Sequence, residues 1–430
     1  MRTLLTIGLL GAVAAAAAGV ERFPTPDFDT GYEPPSPTRP QPRRTAIEVV
    51  DVVVLAAALA VASWLILRTR SRGWVFVVML GALAYFGFYR KGCVCSIGAV
   101  QNVSLSLGNG YAIPLVVVAF FLLPLVFTLL FGRTFCAAVC PLGAIQDAVL
   151  LRPLRIPAPV EHALGMLPYV YLGAAVLFAA TGAAFVICQY DPFVSVFRLS
   201  GNRAMLILGG CVLLIAVFVG RPYCRYLCPY GAVLRHLSRL SSRHATITPD
   251  ECIQCRLCED ACPFGAIRAP TPEPVHGDRS RGKAVLGLAL LLVPVLIAGG
   301  AGLGWLVRRP LARVHPTVRQ AERVRLEKAG LVEGTTDASD AFRQTERPAE
   351  ELYAEARGLI DRFAIGGAVL GGFLGLVFGL KLVDVSIRRT RTDYEIDRAK
   401  CVSCARCFRY CPREHLRIER GGGERPEAET

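Results

Sequence analysis

The chain has 430 residues, of which 53% are hydrophobic and 19% charged, and its formal net charge is +14. The hydrophobic residues form blocks close to the roughly 20 residues that an α-helix needs to cross a bilayer. Composition therefore predicts an all-α polytopic membrane protein and excludes a soluble globular domain. The basic residues lie beside these blocks, as in membrane proteins, so we expect contact with membrane lipid and no nucleic-acid partner.

The N-terminal region precedes the first long span. Residues 1–20 are apolar and Ala-rich and fit either a cleaved signal peptide or a signal anchor. Residues 21–45 are rich in Pro and polar residues and predict a disordered periplasmic tether.

Seven spans are predicted, or eight if the N-terminal run is retained. A transmembrane domain over 46–245 contains five of them, at 46–67, 74–89, 111–131, 167–187 and 204–219. A helix pair over 284–385 contains the other two, at 284–307 and 363–380. The charged segment 308–362 between the last two spans has apolar residues at helical spacing. It predicts a periplasmic helical hairpin that serves as a spacer or docking surface.

Two cysteine motifs carry the strongest chemical signal. Cys252, Cys255, Cys258 and Cys262 have the spacing C-x2-C-x2-C-x3-C-P, and Cys401, Cys404, Cys407 and Cys411 repeat it. This spacing is typical of bacterial ferredoxins, in which the fourth Cys binds the other cluster. The sequence therefore predicts two [4Fe–4S] clusters, one held by Cys252, Cys255, Cys258 and Cys411 and the other by Cys401, Cys404, Cys407 and Cys262. Zinc is the weaker alternative.

The two motifs lie far apart in the chain. They predict a small α+β ferredoxin-like domain of the 2[4Fe–4S] type, split into halves at 246–283 and 386–418 by the last two spans and followed by a disordered tail at 419–430. Glycines at every fourth position (Gly367, Gly371, Gly375, Gly379), with Gly300 and Gly304 on the preceding span, would let these spans approach closely and bring the halves together. The same glycines fit packing against some other helix equally well.

The tail of the ferredoxin motif recurs in the membrane domain. The pattern Cys-Pro-x-Gly-Ala begins at Cys140, Cys228 and Cys262, and Cys95 begins a copy with Ser in place of Pro. We expect the Pro to redirect the chain and the Gly to form a tight turn near sulfur.

Seven further cysteines are candidate redox or metal ligands. The pairs Cys136/Cys140 and Cys224/Cys228 are spaced so that both sulfurs of a pair would share one helix face. They fit a further metal or Fe–S centre, a redox-active dithiol or a structural role. Cys93, Cys95 and Cys188 are predicted on the opposite side of the membrane, where they fit a second redox centre or a disulfide. Cys211 lies within a span and fits a packing role.

Two arguments predict the orientation. The loops that carry the Cys-x3-Cys-Pro and ferredoxin motifs are richer in Arg and Lys than the Cys93 and Cys188 loops. Cluster assembly also requires reduced thiols. Both place the ferredoxin motifs on the cytoplasmic side of a bacterial inner membrane.

The combined motifs resemble a known family. Gly132-Arg133-Thr134-Phe135-Cys136-x3-Cys140-Pro141, Tyr190-Asp191-Pro192-Phe193, Tyr223-Cys224-x3-Cys228-Pro229 and both ferredoxin motifs are similar to the NosR/NirI-type membrane-bound polyferredoxins, relatives of NapH-type quinol dehydrogenase subunits. The resemblance implies electron transfer to a periplasmic flavoprotein or reductase. NosR-type proteins also carry covalent FMN on a periplasmic domain. Residues 21–44 are too short for that domain and contain no Ser-Gly-Ala-Thr attachment motif, so we expect no covalent FMN.

Three functions are compatible with these features: an electron-transfer subunit, a maturation or metal-reducing accessory protein, and a membrane redox sensor. The first would take electrons from ferredoxin, flavodoxin or quinol. No Cys-x-x-Cys-His motif occurs and no His lies in an apolar block, so haem is not expected. No catalytic nucleophile–base arrangement is recognisable, and any redox chemistry would belong to the cofactors.

Overall fold

The computed structural model describes residues 45–92, 95–154, 156–200, 202–247, 252–271, 278–387 and 391–419. The predictions for 1–20 and 21–44, for Cys93 and for the tail from 420 onward lie outside these ranges.

The described part of the chain is mostly helical. The first part of the membrane domain contains α1 to α7, at Thr45–Trp64, Arg72–Ala82, Ser96–Asn109, Leu115–Phe131, Pro141–Val149, Ala158–Leu164 and Leu167–Ala180. Its second part contains α8 to α12, at Val186–Gln189, Pro192–Arg198, Arg203–Ala216, Pro222–Tyr226 and Pro229–Leu237. π-helical turns extend α1 and α2 and precede α5, at Leu65–Thr69, Leu83–Tyr89 and Phe135–Val139.

The remaining elements belong to the ferredoxin halves and the segment between them. They are α13 (Leu257–Ala261), β1 (Ile267–Arg268), α14 (Asp278–Leu306), α15 (Arg308–Ala312), α16 (Pro316–Lys328), α17 (Asp337–Gln344), α18 (Ala349–Ser386), β2 (Glu395–Ile396), α19 (Arg406–Tyr410) and α20 (Pro412–Glu419).

Five helical stretches are long and apolar enough to cross a membrane: Ala46–Thr69, Arg72–Tyr89, Ala158–Ala180, Gly282–Leu306 and Ala349–Ser386. The bent pair α9 and α10 makes a sixth if it is counted as one span. The predicted span 111–131 is the 17-residue helix α4, which begins after Pro114 and contains Pro124. The chain is thus a membrane protein.

The segment between the last two spans contains α15, α16 and α17, and its last part is continuous with the membrane helix. α18 runs for 38 residues from this segment through the last span. Val318, Val324, Phe342, Leu352 and Ala356 form its small core, together with Leu177 from the end of α7.

The predicted glycine faces of α14 and α18 pack directly against each other. A Cβ atom added to Gly300 would overlap the carbonyl oxygen of Gly371, and one added to Gly304 would overlap that of Gly367. The backbones are therefore too close for any larger residue, as in small-residue membrane interfaces. This pair connects the ends of the two ferredoxin halves.

We expect Gly304→Ala to separate α14 from α18 and to lower stability by about 1–3 kcal/mol, the usual cost of overpacking. Thermal unfolding in detergent measures this change. Gly302→Ala is the matched control, because nothing lies within 4 Å of a Cβ atom added there. Equal melting temperatures for the two variants would contradict the close packing.

Candidate iron–sulfur sites

The two ferredoxin motifs fold in the same way. Gln254 and Arg256 have positive φ angles of 53° and 64°, and the equivalent residues Ser403 and Ala405 have φ of 54° and 59°. Each motif then enters a five-residue helix, α13 or α19. The left-handed residues curl the backbone around the cysteines, so equal spacing in the sequence produces equal local geometry.

The two halves meet in space. β1 of the first half pairs antiparallel with β2 of the second, with Ile267 opposite Ile396. The Thr271 amide also donates to the carbonyl oxygen of Arg391 at 3.0 Å, and α13 contacts α19. One small ferredoxin-like unit is thus assembled across the membrane excursion.

Two cavities in this unit are each lined by four cysteines. Three come from one motif and the fourth from the other. The first cavity is lined by Cys252, Cys255, Cys258 and Cys411, and the second by Cys401, Cys404, Cys407 and Cys262. Four thiols around a cavity fit a [4Fe–4S] cluster, which occupies the space between its ligands.

Backbone amides and burial shape the electrostatics of these thiols. The Ser403 amide donates to Cys401 Sγ at 3.3 Å, and the Ala266 amide donates to Cys262 Sγ at 3.4 Å. Burial, followed by repulsion from Cys404, raises the pKa of the Cys401 thiol to about 12, and burial raises that of Cys258 to about 11. Cluster binding must therefore displace protons, while the amides stabilise the ligated sulfurs.

The Cys-x3-Cys-Pro pairs do not lie on continuous helices, so the prediction of a shared helix face is wrong. Cys136 lies in a π-helical turn and Cys140 follows it as the N-cap of α5. Cys224 lies in α11 and Cys228 is the N-cap of α12. The Pro after each second cysteine starts a new helix, because its fixed φ suits the first helical position.

The first cysteines of both pairs line a cavity at the ferredoxin interface together with Phe264 and Val402. Gln146 donates to Cys224 Sγ at 3.4 Å, and Arg133 donates to Cys136 Sγ at 3.7 Å. Cys136 also packs against a cluster of Phe264, Ala266, Val402 and Cys404, as do Cys262 and Cys401.

The second cysteines meet Cys95 in the interior. Cys95, Cys140 and Cys228 are the N-caps of α3, α5 and α12. Cys95 and Cys140 line one cavity, and the thiol of Cys228 interacts electrostatically with Cys95 and Cys136. The sequence predicts Cys95 on the opposite side of the membrane from the Cys-x3-Cys-Pro pairs, and the structure places it in one cavity with Cys140.

The directions of these helices explain the convergence. α5 ends close to the ferredoxin unit, where Asp147 binds Arg406. α12 also ends there, because Ser238 Oγ in the turn that follows it donates to the Arg398 carbonyl oxygen at 2.7 Å. α3 runs the other way, and its last residue, Asn109, binds the carbonyl oxygen of Ala180. Opposed helices thus place their N-termini together.

The repeated glycines have two roles rather than one. Gly265 has φ of +57° and forms the predicted turn. Gly98, Gly143 and Gly231 lie inside helices instead. The Gly231 amide donates to Cys228 Sγ at 3.2 Å, which is a capping bond. The tight-turn prediction is therefore wrong for these three copies.

Cys188 lies beside the first turn of α3. A Cβ atom added to Gly98 would be 3.4 Å from Cys188 Sγ, and the Cys188 amide donates to Gln101 Oε1 at 3.2 Å. Cys95 forms no disulfide with a described residue, and neither does the exposed Cys211 on α10. Across the described residues, no three His, Cys, Asp or Glu side chains are arranged to hold a single metal ion.

One buried carboxylate, which sequence reasoning missed, ties the ferredoxin unit to the membrane domain. Asp147 accepts from Arg406 at 3.0 Å, forms a further ion pair with Arg72 and lies 3.6 Å from Arg221. Arg72 also donates to the carbonyl oxygen of Cys404 at 3.0 Å. Burial alone would raise the pKa of Asp147, but Arg221, Arg72 and Arg406 hold it well below its ordinary value. A lone Asp between apolar residues gave no sequence signal for this.

Comparisons with known proteins agree with the cysteine chemistry. A 4Fe-4S binding domain model matches residues 113–159 and 203–248, which contain the Cys-x3-Cys-Pro pairs. A second 4Fe-4S binding domain model matches residues 245–268, which contain the first ferredoxin motif. No solved structure matches the chain.

Three relatives illustrate the similarity. An uncharacterized protein of Methanocaldococcus jannaschii is 30% identical over 42% of this chain and 77% of the relative. Protein NirI of Paracoccus denitrificans is 32% identical over 32% of the chain, and the putative electron transport protein YccM of Escherichia coli is 31% identical over 39%. The chain spans 22% of NirI and about half (52%) of YccM.

The fold and motifs define a membrane iron–sulfur protein of the electron-transfer class. Within that class, the chain belongs to the NosR/NirI-like membrane-bound polyferredoxins.

We expect Asp147→Asn to destabilise the protein by about 3–5 kcal/mol, because it leaves buried arginines without their counter-charge. Thermal unfolding at neutral pH measures the loss. The pKa of Asp147 is lowered, so its contribution is present above the ordinary carboxyl pKa of about 4 and is lost only as pH falls through the folded value. Asp340→Asn is the control, because its ion pair with Arg343 is exposed. A similar melting temperature for both variants would refute the role of Asp147.

Proposed function

We propose that this protein relays electrons between two [4Fe–4S] clusters in the split ferredoxin unit and a redox partner on the other side of the membrane. One observation carries the proposal: each of the two cavities is lined by three cysteines of one motif and the fourth cysteine of the other. This is the ligand exchange of two-cluster ferredoxins.

The chain's own residues would hold and tune the clusters. Cys252, Cys255, Cys258 and Cys411 would hold cluster one, and Cys401, Cys404, Cys407 and Cys262 would hold cluster two. The clusters supply one-electron redox chemistry when bound. The Ser403 and Ala266 amides donate to the ligand sulfurs, and such bonds raise the reduction potential by stabilising negative charge.

A series of thiols supports a route into the membrane domain. Cys136 packs against the same small apolar cluster, Phe264, Ala266, Val402 and Cys404, as Cys262 and Cys401 do. The interior cysteines Cys140, Cys228 and Cys95 follow, and Cys188 lies beside Cys95. We propose that the Cys-x3-Cys-Pro cysteines contribute a further metal or Fe–S centre on this route, in keeping with the 4Fe-4S model that matches them.

The basic loops support a cytoplasmic position for the ferredoxin unit. The electron donor on that side would be ferredoxin, flavodoxin or quinol. The acceptor would be a periplasmic flavoprotein or reductase. The helical segment at 308–362 packs on the end of α7 that is remote from the ferredoxin unit, which suits a docking role there.

A metal-reducing or maturation role is the second candidate. The observation that favours it is the meeting of three thiols at three helix N-termini, because soft metals prefer thiolate ligands. A redox sensor is a third candidate and has no separate structural support.

Cysteine variants test the ligand exchange. We expect Cys411→Ser and Cys252→Ser to lose the same cluster, because both residues line the first cavity. The EPR spectrum of either variant should then show only the cluster of the second cavity. We expect Cys401→Ser to show only the EPR spectrum of the cluster in the first cavity. The measurement is iron and sulfide analysis of anaerobically purified protein with an EPR redox titration.

Cys211→Ser serves as the control and should retain all clusters. If Cys411→Ser instead matched Cys401→Ser, each motif would hold its own cluster and the exchange would be wrong. Wild-type protein with fewer than two [4Fe–4S] clusters would reject the relay.

A second test addresses the route through the interior. We expect Cys95→Ala to keep both ferredoxin clusters but to slow electron delivery several-fold, because the thiol between Cys140 and Cys188 is gone. Proteoliposomes with reductant on the ferredoxin side and a trapped acceptor dye measure the rate. Cys211→Ala is the matched control, and equal rates for the two variants would exclude Cys95 from the route.

A further inference from the structure

A cavity between the ferredoxin unit and the membrane domain has twelve lining residues, and five of them are cationic. The cavity and the solvent space at its open side together measure about 510 Å³. Five of its lining side chains are basic and one is acidic: Arg133, Arg221, Arg225, Arg235, Lys400 and Glu161. We call it the cationic pocket.

Part of this positive charge is balanced within the protein. Glu161 Oε1 binds Arg225 at 3.0 Å and Lys400 at 2.9 Å, and Arg221 lies 3.6 Å from Asp147. Arg225 and Lys400 therefore share a single carboxylate, so the pocket keeps an excess of positive charge.

Arg133 and Arg235 account for most of the excess. Within the described ranges neither has a carboxylate partner. Arg133 is 3% exposed and donates to the Ala399 carbonyl oxygen at 3.4 Å, while Arg235 donates to the Arg225 carbonyl oxygen at 3.2 Å. Burial, and next the charge of Arg133, lower the pKa of Arg235. The buried guanidinium of Arg133 and the partly buried one of Arg235 thus repel each other, and no described carboxylate balances them.

The pocket also contains donors without acceptors. The hydroxyl of Tyr226 and the Nε atoms of Arg133 and Arg235 are buried and have no hydrogen-bond partner among the described residues. Tyr226 lines the pocket and is 7% exposed. Buried donors are normally satisfied, so these three indicate a missing acceptor that carries negative charge.

We propose that the cationic pocket binds a phosphate-type oxyanion between Arg133 and Arg235, with Tyr226 donating a third hydrogen bond. Guanidinium groups present planar pairs of N–H donors that match tetrahedral oxyanions. The anion can be free phosphate or the phosphate of a lipid headgroup, which has the same chemistry.

The position of the pocket gives such an anion a redox effect. Arg133 donates to Cys136 Sγ, and Phe264 and Val402 line both the pocket and the cavity of Cys262 and Cys401. Negative charge there would disfavour reduction of cluster two and lower its potential. This consequence depends on the proposed function, whereas the binding itself does not.

The experiment titrates delipidated full-length protein with inorganic phosphate by isothermal calorimetry, with native mass spectrometry for retained phospholipid. We expect saturable phosphate binding to the wild type. Arg235→Gln and Tyr226→Phe should weaken it, the former by about tenfold or more, which is the scale of a lost hydrogen bond to a charged group. Arg239→Gln, an exposed arginine beyond the end of the same helix, removes equal charge and should bind as the wild type does.

Each outcome decides between sources or rejects the site. If phospholipid stays bound to the wild type and to Arg239→Gln but not to Arg235→Gln, the site is supported and a lipid headgroup is its occupant. Absence of both phosphate binding and retained lipid would overturn the proposal, as would equal weakening by the two arginine variants. An iron content equal to that of the wild type shows that a variant is folded. A wild-type protein that binds phosphate but lacks clusters would reject the proposed electron relay and leave the phosphate site standing.

Discussion

The ion pairs of Asp147 are the interaction on which the architecture depends. This carboxylate is fully buried, and it joins α2 through Arg72, the start of α11 through Arg221 and the second ferredoxin half through Arg406. Arg72 and Arg221 also bind carbonyl oxygens beside cysteines, at Cys404 and Ala137. A buried charge is tolerated only when it is paired. Burying Asp147 therefore requires all three partners to be in place, which holds the cysteine-bearing segments of both domains in a defined relation.

The same short repeat serves two structural purposes. In the ferredoxin motif, Cys262 ends a helix and Gly265 turns the chain. In the membrane domain, Cys95, Cys140 and Cys228 begin helices. The difference follows from what comes next. Apolar residues after the membrane copies continue as helices that bury their sides in the domain core, whereas Ile267 and Arg268 pair with the second half as a strand.

The division of the ferredoxin unit also has a physical basis. α14 and α18 approach until their glycines touch the opposite backbone, so the two halves leave and return to the membrane at nearly the same place. The short β1–β2 ladder then fixes their relative orientation, and the Asp147 ion pairs attach the second half to the membrane domain. Two widely separated motifs can act as one domain because the intervening segment is closed by tight helix packing rather than by a loop.

The sequence alone determined the class of protein, the cluster-type cysteines and the glycine faces, because each of these depends on local spacing along the chain. It also suggested the exchange of Cys262 and Cys411, since the motif itself is characteristic. Only the tertiary structure brought Cys95 to Cys140 and Cys228, because that requires helices of opposite direction to meet. The same holds for Asp147 and for the cationic pocket, whose residues come from five separate stretches of chain. Charges spaced irregularly in sequence carry no pattern, and whether they are paired is decided only by which side chains become neighbours in the folded protein.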